Sequence, residues 1–91
     1  MKKGSMMAKG DDIEERLIRF AVSVLDLREG LPKTVPGTHI GNHHIRSATS
    51  AAPNYAEARG CESMNDFMHK LGIVLKELIE ACVWLRMARI R

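Results

Sequence analysis

The residues best suited to chemistry lie in and just before one short stretch, NHHIRSATSAAPNYAEA, which spans residues 42–58. His39 and His43 are four residues apart, so both would face one side of a helix, as two metal ligands do. A closed metal site needs further ligands, and neither Cys61 nor Cys82 is close to these histidines in the sequence. We therefore favour solvent-exposed or interface histidines over a metal site, and we predict no cofactor.

The same stretch contains serines next to histidines, a combination that nucleophilic catalysis can use. However, no strand–turn–helix elbow surrounds Ser47 or Ser50, and such an elbow is what exposes a catalytic serine in hydrolases. The neighbouring alanines have a simpler use, because small side chains allow a second helix to approach closely. We therefore predict a packing segment and a protein that is not an enzyme.

A polar stripe runs along this segment at helical spacing and comprises Arg46, Ser50, Asn54 and Glu57. Arg46 and Glu57 are eleven residues apart, which is ~16 Å along one helix, so they cannot touch each other. Each must find partners on another helix or on another subunit. We predict that the stripe fixes helix register or subunit pairing, and a direct ligand-binding role is the alternative.

Helices must position these residues, because apolar side chains recur at a period near 3.6 and no β-hairpin signal occurs. Helix starts are predicted at Asp12, Thr38 and Ser63, whose side chains suit N-caps, and glycines at positions 30 and 60 suit helix ends. The segment LPKTVPG forms the first connection, and Pro53 should kink the second helix or remove one of its hydrogen bonds. The prediction is an all-α, antiparallel up-and-down bundle with helices at about residues 12–29, 38–59 and 63–90.

Composition indicates one globular domain over residues 11–91, since 45% of the chain is hydrophobic and 27% is charged. Residues 1–10 are polar and contain glycine, so we expect a disordered tail or the remnant of an expression tag. Without residues 1–5, which include Lys2 and Lys3, the formal net charge of +3 falls to +1.

No signal peptide and no membrane-spanning run is apparent, which favours a reduced, cytoplasmic protein that does not bind membranes.

Three segments occur in an order typical of a known family: LPKTVPGTHI, then IRSATSAAPNYAEA, then SMNDFMHKLGIVLKELIEACVWL. Over roughly residues 13–88 the chain resembles the four-helix-bundle proteins encoded in 23S-rRNA intervening sequences. That family includes accessory proteins of diversity-generating retroelements. The matching positions are Arg46, Ser50, Asn54, Glu57, Ser63, Asp66, Phe67, Lys76, Glu77, Trp84 and Leu85.

The resemblance implies a non-enzymatic four-helix bundle that assembles into a homopentameric ring. Three features depart from the family pattern: only three helices are predicted, His43 stands where glutamine is commoner, and Pro53 precedes Asn54. A bundle without its fourth helix leaves an apolar face uncovered, which favours self-association into a homo-oligomer.

An alternative function follows from the retroelement relatives, which associate with nucleic acid and a reverse transcriptase. On a symmetric ring each charge is repeated around the axis, so a modest subunit charge becomes a strong field. Arginines in the last helical turn are also explained by the helix dipole alone, and no base-reading motif is present. Candidate contacts to the phosphate backbone of RNA or DNA are Arg46, Arg59, Lys70, Lys76, Arg86, Arg89 and Arg91.

Overall fold

A computed structural model describes the backbone of residues 2–90 and the side chains of residues 10–90. Three helices follow one another: α1 (Lys2–Glu29), α2 (Val35–Arg59) and α3 (Met64–Ile90). No strand occurs in this part of the chain, so the predicted all-α class is confirmed. A fourth helix, which the family resemblance implies, is not found among the described residues.

The helix α2 is the middle element of the bundle and packs against both of its neighbours. Arg28, near the end of α1, donates a hydrogen bond to Thr38 near the start of α2, at 3.0 Å. Arg59, at the end of α2, contacts Glu14 on the first half of α1, at 3.1 Å, so these two helices are antiparallel. Among the described residues, no Cα of α1 lies within 8 Å of one in α3. The arrangement therefore depends on α2 having two packing faces.

Small side chains on α2 make this two-sided packing possible. Most of the buried apolar residues are alanines, namely Ala21, Ala48, Ala51, Ala52, Ala58 and Ala81, joined by Val24, Tyr55 and Val74. One cluster brings Val24, Ala48 and Ala81 together, one residue from each helix. A second cluster contains Ala51, Tyr55 and Val74. Alanine lets helices approach closely, but it buries little apolar area for each residue.

The start of α2 differs from the prediction. The helix begins at Val35, and its N-cap is Thr34, whose hydroxyl accepts a hydrogen bond from the Gly37 amide at 3.1 Å. The prediction of Thr38 as the cap was therefore wrong. The physical reason is Pro36. Proline fits the first turn of a helix because the amide groups of that turn have no acceptor within the helix, so the missing N–H costs nothing there. The helix then continues through Pro53 to its C-cap at Gly60, the predicted end.

The start of α1 also differs, because the helix begins at Lys2 and not near Asp12. Residues 2–10, predicted to be a disordered tail or a tag remnant, have a helical backbone. No proline interrupts this segment. Directly after it, Asp11 of α1 forms an ion pair with Arg59 of α2 at 2.9 Å, which ties this turn of α1 to α2.

In α3 the predicted cap is confirmed, since the Ser63 hydroxyl accepts a hydrogen bond from the Asp66 amide at 3.1 Å.

Candidate functional site

A network of polar side chains joins α2 to α3, and we call it the polar seam: Arg46 and Ser50 on α2, Glu77 and Glu80 on α3. The Arg46 guanidinium donates from Nη1 to Glu77 Oε2 at 3.1 Å and from Nη2 to Glu80. The Ser50 hydroxyl donates to the same Glu77 oxygen at 2.5 Å. Glu77 is only 8% exposed, so these two donors replace the water that a buried carboxylate loses.

Helical spacing explains why the four residues meet. Arg46 and Ser50 are four residues apart and share one face of α2, while Glu77 and Glu80 are three apart and share one face of α3. Hydrogen bonds from the Trp84 indole and from Arg46 lower the pKa of Glu80. The hydrogen bond to Glu80 in turn raises the pKa of Arg46. Glu80 and Arg46 are therefore both charged at neutral pH.

The remaining members of the predicted polar stripe behave differently from each other. Glu57 accepts a hydrogen bond from Lys70 of α3 at 2.6 Å, and this bond raises the pKa of Lys70. The Asn54 amide instead donates to the Ser50 carbonyl of its own helix, at 2.8 Å. Arg46, Ser50 and Glu57 thus reach α3 of the same chain, while Asn54 does not. These contacts join α2 and α3 in antiparallel order, and a role in fixing helix register or subunit pairing stays a prediction.

The two histidines considered as metal ligands lie beside an aromatic ring. His43 stacks on Trp84 with ring centroids 4.6 Å apart and an interplanar angle of 20°. His39 lies 4.6 Å from His43 and meets Trp84 edge-on at 6.0 Å. Within residues 10–90, no group of three or more histidine, cysteine, aspartate or glutamate side chains could hold a metal ion. Both histidine rings contact Trp84, in the last two turns of α3.

The seven basic residues proposed for nucleic-acid contact fall into three groups. Arg46, Arg59 and Lys70 form ion pairs with carboxylates of the same chain. Lys76, Arg86 and Arg89 are exposed and form no ion pair in the part of the chain whose side chains are described. Arg91 lies outside the described residues. The first group is largely neutralised, so any phosphate contact would depend mainly on the second.

Two apolar stripes are left uncovered by the bundle. The outer stripe of α3 contains Met68, Leu75, Ile79 and Cys82, and the outer stripe of α1 contains Ile18, Val22 and Leu25, all of them exposed. Both sets recur at helical spacing, so each stripe follows one side of its helix.

The outer stripe of α3 corrects a sequence-based expectation. Helical spacing in the sequence predicts that Leu75 and Cys82 share one core-facing apolar stripe with Val74 and Leu78, yet Leu75 is 60% exposed and Cys82 is also exposed. The face turned to α2 instead presents Val74, Leu78 and Ala81. The helix has two apolar stripes side by side, and α2 covers only one of them.

Sequence reasoning missed three participants around these sites. Glu80 is not among the predicted site residues, but it is the second carboxylate of the polar seam. Its position three residues after Glu77 on α3 was the available signal. His44 is 5% exposed, and burial lowers its pKa, although the sequence did not distinguish it from His43. Arg28 approaches α2 at Thr38, and no local pattern indicates that contact.

In comparisons with known proteins, no family model, no curated protein and no solved structure matches this chain. Within the described residues, no helix has an apolar stretch long enough to cross a membrane.

Proposed function

We propose that this protein is a non-enzymatic helical bundle that assembles with copies of itself, using the outer stripes of α1 and α3. The observation that supports this proposal is the imbalance between buried and exposed apolar residues. Fourteen large hydrophobic side chains are exposed among the described residues, whereas only Val24, Tyr55 and Val74 are buried apolar residues larger than alanine. A contiguous exposed apolar surface on a small protein marks an interaction site.

The outer stripe of α3 has enough apolar surface to matter energetically. Three large side chains of this stripe, Met68, Leu75 and Ile79, and the neighbouring Val83 are each roughly half exposed. Pairing two such faces would bury the exposed half of eight side chains, which is equivalent to about four full burials. At about 1.5–3 kcal/mol for each fully buried side chain, this contributes roughly 6–12 kcal/mol. Association costs about 4–15 kcal/mol in lost freedom of motion. One face alone therefore gives weak pairing, and stable assembly needs a second surface.

The outer stripe of α1 provides that second surface. A ring is built from two different surfaces on each subunit, one complementary to the other. The helices α1 and α3 lie against α2 without contacting each other through their backbones, so each chain has two separate apolar stripes. This arrangement suits a closed ring, and the pentamer of the intervening-sequence family is the ring that we propose. The polar seam would hold α3 in register on α2, so that its outer stripe is presented as one rigid surface.

Self-association can be tested with Ile79→Glu, which places a charge in the middle of the outer stripe of α3. The matched control is His69→Glu, at an exposed position of the same helix, where the change adds the same negative charge. Mass is measured by sedimentation equilibrium and light scattering over a range of protein concentrations. A pentamer of 10.2 kDa chains has a mass of about 51 kDa.

We expect the parent protein and His69→Glu to have the mass of the oligomer and Ile79→Glu to shift toward the mass of one chain. Circular dichroism must show that all three proteins remain helical. A parent protein that is monomeric at every concentration, and that unfolds cooperatively in that state, would refute the proposal.

A second candidate is a nucleic-acid-binding accessory protein that works with a reverse transcriptase in the cytoplasm. The observation in its favour is that Lys76, Arg86 and Arg89 are exposed and lack a carboxylate partner in the described part of the chain. Binding to structured RNA and to duplex DNA would be titrated with salt, using the parent protein and a variant with all three changed to glutamine. Phosphate contacts predict affinity that falls steeply with salt, and a slope that decreases in the variant. Salt-insensitive binding, or no binding, would refute the nucleic-acid candidate and leave the self-assembling bundle as the proposed function.

A further inference from the structure

A cavity of about 280 Å³ lies at the end of the bundle where α1 is joined to α2. Most of its walls are apolar and come from the end of α1, the following connection, the first turns of α2 and the end of α3: Leu27, Leu31, Pro32, Ile40 and Ala88. Its volume is close to the lower limit of small-molecule pockets, roughly 300–1,000 Å³. The cavity therefore has room for a small organic molecule.

Arg28 contributes a positive charge to the wall of this cavity. Its Nη2 donates to the Thr38 hydroxyl at 3.0 Å, whereas its buried Nη1 has no hydrogen-bond partner among the described residues. Arg28 also forms no ion pair with any side chain of residues 10–90. A buried guanidinium nitrogen without a partner is energetically costly. The Arg28 guanidinium therefore has hydrogen-bonding capacity that the described residues do not use.

Gly41 allows Arg28 to occupy this position. A Cβ added at Gly41 would overlap the Cδ and Nε atoms of Arg28, and it would come within 3.1 Å of Cζ. Any larger residue at position 41 would therefore push the guanidinium away from α2. The glycine and the arginine form one structural unit that holds the charge at the cavity.

His44 also lines the cavity. The residue is 5% exposed, and its Nε2 has no hydrogen-bond partner among the described residues. Burial lowers the pKa of His44, so the ring is neutral at pH 7 and has one donor and one acceptor nitrogen. The ring therefore adds no charge beside the Arg28 guanidinium.

We propose that this cavity binds a small carboxylic acid with a short apolar tail. The carboxylate would pair with the Arg28 guanidinium at the cavity wall, and the tail would lie against Leu27, Leu31 and Ile40. One guanidinium matches the single charge of a carboxylate, and planar donors suit its two oxygens. A phosphate dianion fits less well, because Arg28 is the only charged residue lining the cavity in the described part of the chain and most of the walls are apolar. This inference is independent of self-assembly.

The first test compares three ligands on the parent protein: hexanoate, hexanol and acetate. Binding is measured by titration calorimetry and by amide chemical shifts in NMR spectra. Hexanoate should bind at least about tenfold more tightly than hexanol, which lacks the charge, and than acetate, which lacks the tail. Amide shifts should concentrate at residues 27–44. Equal binding of hexanoate and hexanol, or no binding of hexanoate at millimolar concentrations, would overturn the proposal.

The second test uses variants of the cavity. Arg28→Gln removes the charge, and Gly41→Ala displaces the guanidinium while retaining it. Both should weaken hexanoate binding by about tenfold or more, whereas hexanol binding should change little in Arg28→Gln. The matched control is Arg16→Gln, which removes an exposed arginine of the same helix and should bind hexanoate like the parent protein. If both cavity variants fold and still bind hexanoate at full strength, the assignment is wrong.

Discussion

Ala48 is the residue at which the packing scheme can be tested most directly. It is fully buried, at 0% exposure, and lies in one cluster with Val24 of α1 and Ala81 of α3. Replacing it with leucine adds three carbon atoms between two neighbouring helices. If α2 moves away from one neighbouring helix to make room, it moves toward the other. A shift of α2 alone therefore does not relieve the strain.

The expected cost follows from the known effect of overpacking, which is about 1–3 kcal/mol in well-packed cores. Because Ala48 faces both neighbours, we expect about 2–3 kcal/mol, near the upper end of that range. For a domain of this size, each kcal/mol lowers Tm by about 4–8 °C. The variant Ala48→Leu should therefore melt about 10–20 °C below the parent protein.

The matched control is Ala56→Leu, the same substitution at an exposed position of the same helix. Leucine and alanine are both good helix formers, so this control should change Tm by only a few degrees. Thermal unfolding is followed by circular dichroism at one fixed protein concentration, because self-association would also shift Tm. Equal Tm values for the two leucine variants would show that α2 does not have two packed faces at Ala48, and the reasoning would fail.

Three further predictions concern ionisation and exposure. Glu77→Gln should lower Tm more than Glu62→Gln, which changes an exposed glutamate before α3, because Glu77, unlike Glu62, pairs with Arg46 in the polar seam; equal effects in thermal melts would contradict this. Burial lowers the pKa of His44 from its ordinary value of 6.5, so the unfolded chain binds the proton more readily. Stability should then fall as the pH drops below that value, and urea titrations at several pH values should show less of this loss in His44→Gln. Cys82 is exposed in a single chain but lies on the outer stripe of α3, so its alkylation rate, followed by mass spectrometry, should decrease with protein concentration if the stripe pairs. The rate at Cys61, near the turn between α2 and α3, should change less.

The existence of the helices could be predicted from the sequence, but some of their limits could not. Ser63 and Gly60 act as caps as expected, because serine and glycine have strong local preferences at helix ends. Thr34 and Thr38 are equally good caps when only the residue type is considered. The position of Pro36 in the first turn favours the earlier one, and the prolines in this segment were instead interpreted as helix breakers.

The partners across helices were the least predictable part of the candidate site. The stripe containing Arg46 and Ser50 follows from spacing on one helix, but spacing does not tell which side chain of α3 lies opposite. Leu75 and Val74 illustrate the same limit, because both belong to apolar stripes of α3 and only one stripe can face α2. Periodicity identifies apolar faces, and the number of neighbouring helices decides which of them is buried.

The alanines of α2 connect the thin core with the uncovered stripes. A middle helix that packs on two sides needs small side chains, and Ala48 and Ala51 provide them at full burial. For the same reason, little space between the helices remains for large apolar side chains, and residues such as Ile79 lie outside at 63% exposure. A single chain then obtains limited stability from its own core. If the outer stripes pair between copies as proposed, the missing apolar burial is recovered at subunit contacts, and folding is coupled to assembly.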